Sequence, residues 1–174
     1  MHRFIASIAA VSLLALAVPS ADADSPLPPP TETKFPSQNG RFLAVSDPVT
    51  SVTTVYELSS PPGIRKKRWS MFGWVREAVL ADDGEHLLVV TPYLNLIPLD
   101  YDKNNPVLLL VHKGELVKTA SVIDVVRGES NLTKTTSHYA WGTFLGRDQS
   151  GRFRIKTADG SVFFMHLTTG TTGL

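Results

Sequence analysis

The chain has 174 residues, 43% hydrophobic and 19% charged, with 17 basic and 16 acidic residues and a formal net charge of +1. A net charge this close to zero argues against nucleic acid or another acidic polymer as the main partner. The sequence contains no cysteine, which excludes a disulfide framework and a lipid-anchored bacterial form. Burial of apolar side chains must therefore stabilise the fold.

The amino-terminal residues have the pattern of a secretory signal. His2 and Arg3 precede an uncharged, mostly apolar run from Ile5 to Val18, and Ala21-Asp22-Ala23 places small residues where a signal peptidase recognises them. The apolar run is about 14 residues long, which is short of the roughly 20 needed to cross a bilayer. We therefore expect residues 1–23 to be a cleaved signal peptide. The mature chain is then periplasmic or secreted and has no membrane span.

Residues 24–36 contain five prolines. Each proline fixes its own φ and disfavours helix at the residue before it. The segment is predicted to be an extended, poorly packed linker that precedes a single domain over residues 37–174. A proline-rich docking peptide is the functional alternative.

From Lys34 onward, short segments alternate with a period of two. Residues 41–46 are apolar on both faces, as in a strand that is buried on both sides. Residues 53–58 alternate, with Thr54, Tyr56 and Leu58 opposite Val55 and Glu57. In residues 152–157, Phe153 and Ile155 share one face. Further runs of this type are EHLLVVTP, PVLLLVH and SVFFMHL. Short strands bounded by turn residues predict an all-β domain.

Four glycine-containing pairs lie beside or between these strands: Asn39-Gly40, Asp83-Gly84, Lys113-Gly114 and Asp159-Gly160. Glycine accepts a positive φ, and asparagine or aspartate tolerates it better than most residues, so each pair is predicted to form a two-residue hairpin turn. We expect Asp82 to cap its turn through its side chain. The acidic Asp82-Asp83 pair is thus interpreted as a corner of the fold, and not as a metal or catalytic site.

The turns also recur at a regular interval. Gly84 follows Gly40 by 44 residues, and Gly160 follows Gly114 by 46 residues. A period of about 45 residues is the length of a four-stranded propeller blade, although coincidence is the alternative. The predicted units are Lys34 to Arg76, Glu77 to Arg127 and a degenerate third unit from Thr133 to Leu174.

Two of these segments resemble a known architecture. SQNGRFLAVSDP (37–48) and LADDGEHLLVV (80–90) are similar to the opening strands of blades in WD40-like and related β-propeller proteins of bacterial envelopes, although the WD dipeptide is absent. The segments VLADDGEHLLVV, PVLLLVHKGELVKTASVIDVV, SHYAW and DGSVFFMHLTTG, which lie within residues 77–170 and make up most of that range, also resemble a group of small, uncharacterised exported bacterial proteins. The resemblance implies a fold and a compartment but no activity.

Three units are fewer than the four to eight blades with which propellers close. The expected architecture is therefore a partial propeller or a compact sandwich of about three blade-like antiparallel repeats. Its open sheet edges could pair with a second copy of the chain to form a homo-oligomer. A short helical turn is predicted near residues 121–127, because Ser121 and Asp124 have the spacing of a capping box and Gly128 follows.

The densest charge cluster provides the candidate binding site. Its cations and nearby aromatic residues have the chemistry to bind phosphate groups, anionic lipid or a glycan. The candidate ligand-binding residues are Arg65, Lys66, Lys67, Arg68, Trp69 and Trp74. The alternative is that the cations lie in a solvated loop, while Trp69, Phe72 and Trp74 fill the core.

The remaining polar residues do not form a recognised catalytic motif. His86, His112, His138 and His166 have no metal-ligand spacing, so no metal or other cofactor is predicted. Carboxylates that could pair for glycosidic chemistry are Glu57, Asp100 and Asp102.

The sequence therefore predicts an exported, non-catalytic binding module with a protein or glycan partner. The alternatives are an envelope hydrolase that uses a carboxylate pair and a structural component that self-associates through open sheet edges.

Overall fold

The computed structural model describes residues 28–59, 63–91 and 96–174, so the predicted signal peptide lies outside the described residues. In chain order the strands are β1 Thr33–Pro36, β2 Phe42–Asp47, β3 Val52–Leu58, β4 Arg65–Phe72, β5 Glu77–Leu80, β6 His86–Val90, β7 Leu96–Pro98, β8 Pro106–His112, β9 Glu115–Ser121, β10 Thr133–Lys134, β11 His138–Ala140, β12 Gly142–Arg147, β13 Arg152–Thr157, β14 Val162–His166 and β15 Thr172–Gly173. One short helix, α1, spans Val122–Val126, and a 3-10 turn spans Glu129–Asn131.

The strands form four antiparallel sheets. The first sheet has the order β1-β2-β3-β4, the middle sheet β5-β6-β8-β9 and the last sheet β12-β13-β14-β15, so each is a four-stranded meander. A small sheet, β10-β11-β7, forms because the chain leaves the middle sheet after β6 and returns to it in β8. The prediction of an all-β fold with a brief helix is confirmed.

The central strands of the middle sheet, β6 and β8, are buried on both faces. Leu87 and Val89 of β6 belong to a core shared with the first sheet, while Leu88 and Val90 belong to a core shared with the last sheet. All four side chains are buried. A strand that is covered on both faces has no solvent-facing positions for polar residues, which explains the continuous apolar runs of β6 and β8.

The first sheet is not buried on both faces, although this was predicted for residues 41–46. Phe42 and Ala44 of β2 are buried against the middle sheet, but Leu43 and Val45 are only half-buried. Residues 41–46 are therefore buried on one face, because the first sheet lies at the end of the stack and receives a neighbour on one side. The alternation predicted for β13 is confirmed, since its two apolar inward-facing residues are buried.

The four predicted glycine turns all connect neighbouring strands of a sheet, but only one of these four is a two-residue hairpin. Lys113 and Gly114 have φ values of 50° and 96°, and the flanking residues His112 and Glu115 pair directly. Both central residues thus take the positive φ that a tight turn requires.

The other three turns are longer because a side chain stabilises a different backbone path. In each, the glycine N–H donates to the carbonyl three residues earlier, which belongs to Ser37, Ala81 or Thr157. The side chains of Asn39, Asp83 and Asp159 accept the N–H two residues further on, at 2.8–3.0 Å. With this hydrogen bond the aspartate or asparagine needs no positive φ, so only the glycine of each pair adopts a positive φ.

The predicted repeat is only partly consistent with the topology. The turns at Gly40 and Gly84 both connect the first and second strands of a sheet. The turn at Gly114 joins the third and fourth strands of the middle sheet, whereas the turn at Gly160 joins the second and third strands of the last sheet. These two turns are therefore not equivalent. The last meander begins at Gly142, because the segment from Thr133 lies in the small sheet.

The proline-rich segment is better packed than predicted where the structure describes it. Its last residues form β1, which pairs with β2 along its whole length. The Thr31 carbonyl accepts a hydrogen bond from Trp74 Nε1, and the Pro28 carbonyl accepts one from Arg76. The ordered fold thus extends back into the predicted linker.

The predicted helix is confirmed together with its capping box. The Ser121 hydroxyl accepts the Asp124 N–H at 3.2 Å, and the Asp124 carboxylate accepts the Ser121 N–H at 2.8 Å. Arg127 ends α1 in the left-handed region with a φ of 56°. The described residues contain no helix that is long and apolar enough to cross a membrane.

The first and middle sheets interlock at Gly84. The ring of Phe42 occupies the space that a Cβ atom on Gly84 would need. The Trp69 indole N–H donates to the Gly84 carbonyl at 2.8 Å, within the buried contact between the sheets. Gly84 thus serves both the turn and the packing.

Replacing Gly84 with alanine should therefore destabilise the protein more than the same change at Gly40. Both glycines have a φ of 68°, but a Cβ on Gly40 meets no atom within 4 Å. We expect Gly40→Ala to cost about 1 kcal/mol through backbone strain, and Gly84→Ala to cost about 3 kcal/mol because overpacking adds to it. Urea-induced unfolding monitors both values. Equal losses for the two variants would show that the Phe42 contact does not restrict this position.

Candidate functional site

The two carboxylates of the acidic turn have different partners: one caps the turn, and the other bonds to residues of the two neighbouring sheets. Asp83, not Asp82, caps the turn, and it also contacts His86 Nδ1 at 2.7 Å. Asp82 Oδ1 accepts the Asn39 N–H at 2.9 Å, and Asp82 Oδ2 accepts a hydrogen bond from Arg147. The prediction that Asp82 caps its own turn is therefore wrong. Its side chain instead links the first turn of the first sheet to the end of β12 in the last sheet.

Both carboxylates of this turn are held in the ionised form. The Arg147 guanidinium, assisted by the Asn39 N–H, keeps the pKa of Asp82 below its usual value. Burial opposes the ionisation of Asp83, but hydrogen bonds from Glu85 and His86 still lower its pKa. A general acid needs a raised pKa, so neither group is suited to that role. The acidic turn is a structural junction.

Two of the carboxylates predicted for glycosidic chemistry have separate local partners. Glu57 lies in β3 and contacts Arg68 at 3.1 Å, while the Asp102 carboxylate accepts hydrogen bonds within its own loop. Among the described residues, no hydrogen bond or ion pair joins Glu57 to Asp100 or Asp102. Glycosidic chemistry requires two carboxyl groups that face each other across a substrate. In the structure Glu57 serves a cross-strand ion pair and Asp102 stabilises its own loop, and the carboxylate pair stays a prediction from the sequence.

The predicted cationic residues line a cleft between the first and middle sheets, which we call the basic cleft. It has a volume of about 340 Å³. Its lining residues are Lys66, Lys67, Arg68 and Trp69 of β4, Glu85 beside the acidic turn, and Lys113 in the β8–β9 turn. The cations lie in a strand and not in the loop that the alternative expected, although all four side chains are exposed to solvent as it also expected.

A β-bulge orients the side chains at this point of β4. Val55 pairs with Trp69 and Tyr56 pairs with Lys67, so Arg68 is the extra residue of β4. The bulge lets the Arg68 guanidinium contact Glu57 while Trp69 points into the core, where it is 9% exposed. The exposed cations and the buried indole are therefore adjacent in sequence but lie in different environments.

The aromatic residues divide between core and surface. Trp69 is buried as predicted for a core residue, so its indole forms part of the cleft wall and presents little surface for stacking. Trp74 lies outside the basic cleft, half-buried, with Arg76 at 5.0 Å from its ring. Phe72 is 87% exposed, which corrects the expectation that it fills the core. It is exposed because β4 is an edge strand and Phe72 lies on its uncovered face.

Arg65 belongs to a neighbouring groove. This groove has a volume of about 470 Å³, and its lining residues are Gly40, Leu43, Leu58, Ser59, Gly63, Ile64 and Arg65. Four of the six predicted ligand-binding residues thus line the basic cleft, one lines the adjacent groove, and Trp74 lies apart from both.

The charge of the basic cleft is unevenly compensated. Glu85 contacts Lys113 at 3.0 Å and His112 at 3.3 Å, and these two partners lower the pKa of Glu85. Arg68 is paired with Glu57. Lys66 and Lys67 have no carboxylate within ion-pair distance among the described residues. The surplus positive charge around the cleft therefore lies on these two lysines, of which the strand register places Lys66 on the cleft face of β4 and Lys67 on the opposite face.

Sequence reasoning missed the contribution of the middle sheet. Glu85 follows the Asp83-Gly84 pair and Lys113 belongs to the Lys113-Gly114 pair, and both pairs were interpreted only as turns. His86 and His112 pair across β6 and β8, with ring centroids 4.5 Å apart. His86 and His112 are 26 residues apart in the sequence, and only the register of β6 against β8 shows that they are neighbours. In the part of the chain that the structure describes, no group of three or more histidine and acidic residues is arranged to hold a metal ion.

Comparison with protein-family models, curated proteins and solved structures gave no match. The resemblance to WD40-like proteins remains an expectation from the sequence.

The Asp82 junction predicts a specific dependence of stability on pH. The folded-state pKa of Asp82 is lowered, so its stabilising contribution is complete above the unfolded-state pKa of about 3.9 and is lost as the pH falls through the folded-state value. Asp82→Asn should lower the free energy of unfolding by about 1–2 kcal/mol at pH 7, a discounted value because the side chain is 35% exposed. The difference from the wild type should shrink below about pH 4.

Asp47→Asn is the matched control, because Asp47 also has a lowered pKa but bonds only to Val49 and Thr50 in its own turn. Its replacement should affect stability less than Asp82→Asn at neutral pH. Chemical unfolding at a series of pH values measures both variants. If the free energy of unfolding of Asp82→Asn ran parallel to that of the wild type at all pH values, the ionised Asp82 junction would not stabilise the fold.

Proposed function

We propose that this protein is an exported, non-catalytic binding module whose basic cleft receives an anionic group of a partner protein or glycan. The observation that carries the proposal is the pair Lys66 and Lys67, which are exposed and have no carboxylate within ion-pair distance among the described residues. The expected export rests on the signal-like residues 1–23 of the sequence.

The position of the cleft supports a binding role. One wall is an exposed edge strand, and the other is built from Glu85 and the turn at Lys113 on a sheet whose central strands are buried on both faces. The second wall is thus held by a rigid core, whereas the lysines of the first wall are free to reorient toward a ligand. Lysine acts as a flexible point charge, which suits electrostatic attraction of carboxylate, sulfate or phosphate groups.

The three meanders are further proposed to be blade-like repeats of a partial propeller. Equivalent contacts support this interpretation. The turn at Gly114 lies against Ser70 in the outer strand of the first sheet, and the turn at Gly170 lies against Lys118 in the outer strand of the middle sheet. In both cases the last turn of one sheet packs on the outermost strand of the preceding sheet. A repeated packing of this kind is expected when similar units stack in order.

Self-association of the two end sheets is the weaker alternative. Half-exposed apolar residues on the outer face of the first sheet, such as Leu43 and Tyr56, favour some partner for this face. Cations accompany them, however, and cations also occupy the outer face of the last sheet. These residues are Lys34, Arg65 and Lys67 on the first sheet and Arg152, Arg154 and Lys156 on the last. Like charges brought together oppose association.

Charge reversal tests the proposed binding site. Lys66→Glu combined with Lys67→Glu should weaken binding of poly-glutamate or dextran sulfate about tenfold or more, and should reduce the salt dependence of binding. Isothermal titration calorimetry at several salt concentrations measures both effects. The matched control combines Lys134→Glu with Lys156→Glu, which changes the net charge equally at exposed positions outside the cleft.

The control variant should bind like the wild type. Equal weakening by both double variants would mean that only the overall charge matters, and the basic cleft would not be the binding site. Absence of binding of either polymer to the wild-type protein would also overturn the proposal.

A further inference from the structure

We propose that the free edge of β4, from Arg65 to Arg68, binds an acidic segment of a partner protein as an added antiparallel strand. The inference rests on the proposed function and narrows it, because it makes the anionic partner a peptide in extended conformation and not a glycan. The site combines unpaired backbone groups with cations on both faces of one strand.

The backbone supplies the first part of the argument. β4 is the last strand of the first sheet and pairs with β3 on one side. No described strand pairs with its other side, so alternate N–H and C=O groups along that edge have no strand partner. The β8–β9 turn meets β4 at Ser70. The accessible part of the edge is therefore the segment that precedes this contact.

The side chains supply the second part. Neighbouring residues of a strand point to opposite faces, so Arg65 and Lys67 lie on the outer face with Leu58 and Tyr56, while Lys66 lies on the inner face beside the basic cleft. An added strand would likewise present its side chains to both faces. Consecutive acidic residues would then meet a cation on either side, and such cross-strand pairs of opposite charge each stabilise a sheet by about 0.2–1 kcal/mol.

An apolar groove at the start of β4 supplies the third part. Leu43, Leu58 and Ile64 line this groove, and Ile64 is 60% exposed. Because an antiparallel partner runs in the opposite direction, the groove lies beside the residue that follows the acidic run of the bound peptide. The preferred peptide is therefore an acidic run of about four residues followed by a large apolar residue. Four residues match the segment from Arg65 to Arg68, because the peptide and β4 are both extended and advance about 3.3 Å per residue.

The outer edge of the middle sheet provides an internal comparison. β9 is also an edge strand and is exposed from Glu115 to Thr119. Its exposed residues include one anion and one cation, and the exposed Leu116 and Val117 separate them. Charge complementarity therefore selects β4 for an acidic strand. Charged residues on an edge strand also discourage unwanted pairing, and the experiment separates that role from peptide recognition.

The test uses a synthetic peptide, acetyl-Gly-Glu-Asp-Glu-Asp-Leu-Gly-amide, and two derivatives that carry N-methyl groups on alternating sets of its backbone amides. In an added strand only one set of amides faces β4. We expect one derivative to bind at least tenfold more weakly than the parent peptide, whereas the other binds like the parent. Fluorescence anisotropy at low salt gives the dissociation constants, and hydrogen exchange should show new protection at residues 65–68 in the complex.

Each other outcome is decisive. If both N-methylated derivatives bind like the parent, the peptide is held by charge alone, and the strand-addition inference is overturned while the basic cleft remains a binding site. If dextran sulfate binds and the peptide does not, the inference is overturned in favour of a glycan partner. If the Lys66→Glu, Lys67→Glu variant binds every anionic probe like the wild type, the proposed function fails as well.

Discussion

The structure depends on the burial of the middle sheet between two other sheets. Leu87 to Val90 alternate between two hydrophobic cores, so the strands at the centre of the molecule contribute to both at once. Without disulfide bonds, this double burial is the main source of stability, because it removes apolar surface from water on both faces. The polar junction at Asp82 joins the same three sheets at their turns. Its main role is to fix the relative position of the sheets, and its contribution to the free energy of unfolding is secondary.

The candidate site follows from the same arrangement. The first sheet has a neighbour on one face only, which leaves its outermost strand β4 exposed and able to carry Arg65 to Arg68. The inner wall of the cleft comes from the middle sheet, whose rigid core positions Glu85 and Lys113. Four charged residues are tolerated in a strand here because an edge strand faces water along one side. The end of a stack of sheets is thus where binding residues can be placed without loss of core packing.

Local features of the fold could be predicted from the sequence, whereas long-range ones could not. The capping box at Ser121, the inward positions of β13 and the glycine corners depend on residues that are close along the chain. The prediction that the Gly114 and Gly160 turns are equivalent was wrong, because the spacing of two turns along the sequence does not show which strands they connect. The cleft residues of β4 were found from their charge alone. Glu85 and Lys113 were missed because their proximity depends on how the middle sheet packs on β4.

Native-state hydrogen exchange tests the central role of the middle sheet most directly. If double burial stabilises the fold, the amides of β6 and β8 should be the most protected, and they should exchange only through global unfolding of the protein. The amides of β2 and β3 in the first sheet and of β13 and β14 in the last sheet should exchange faster, through partial opening. Faster exchange in β6 and β8 than in either flanking sheet would contradict the account.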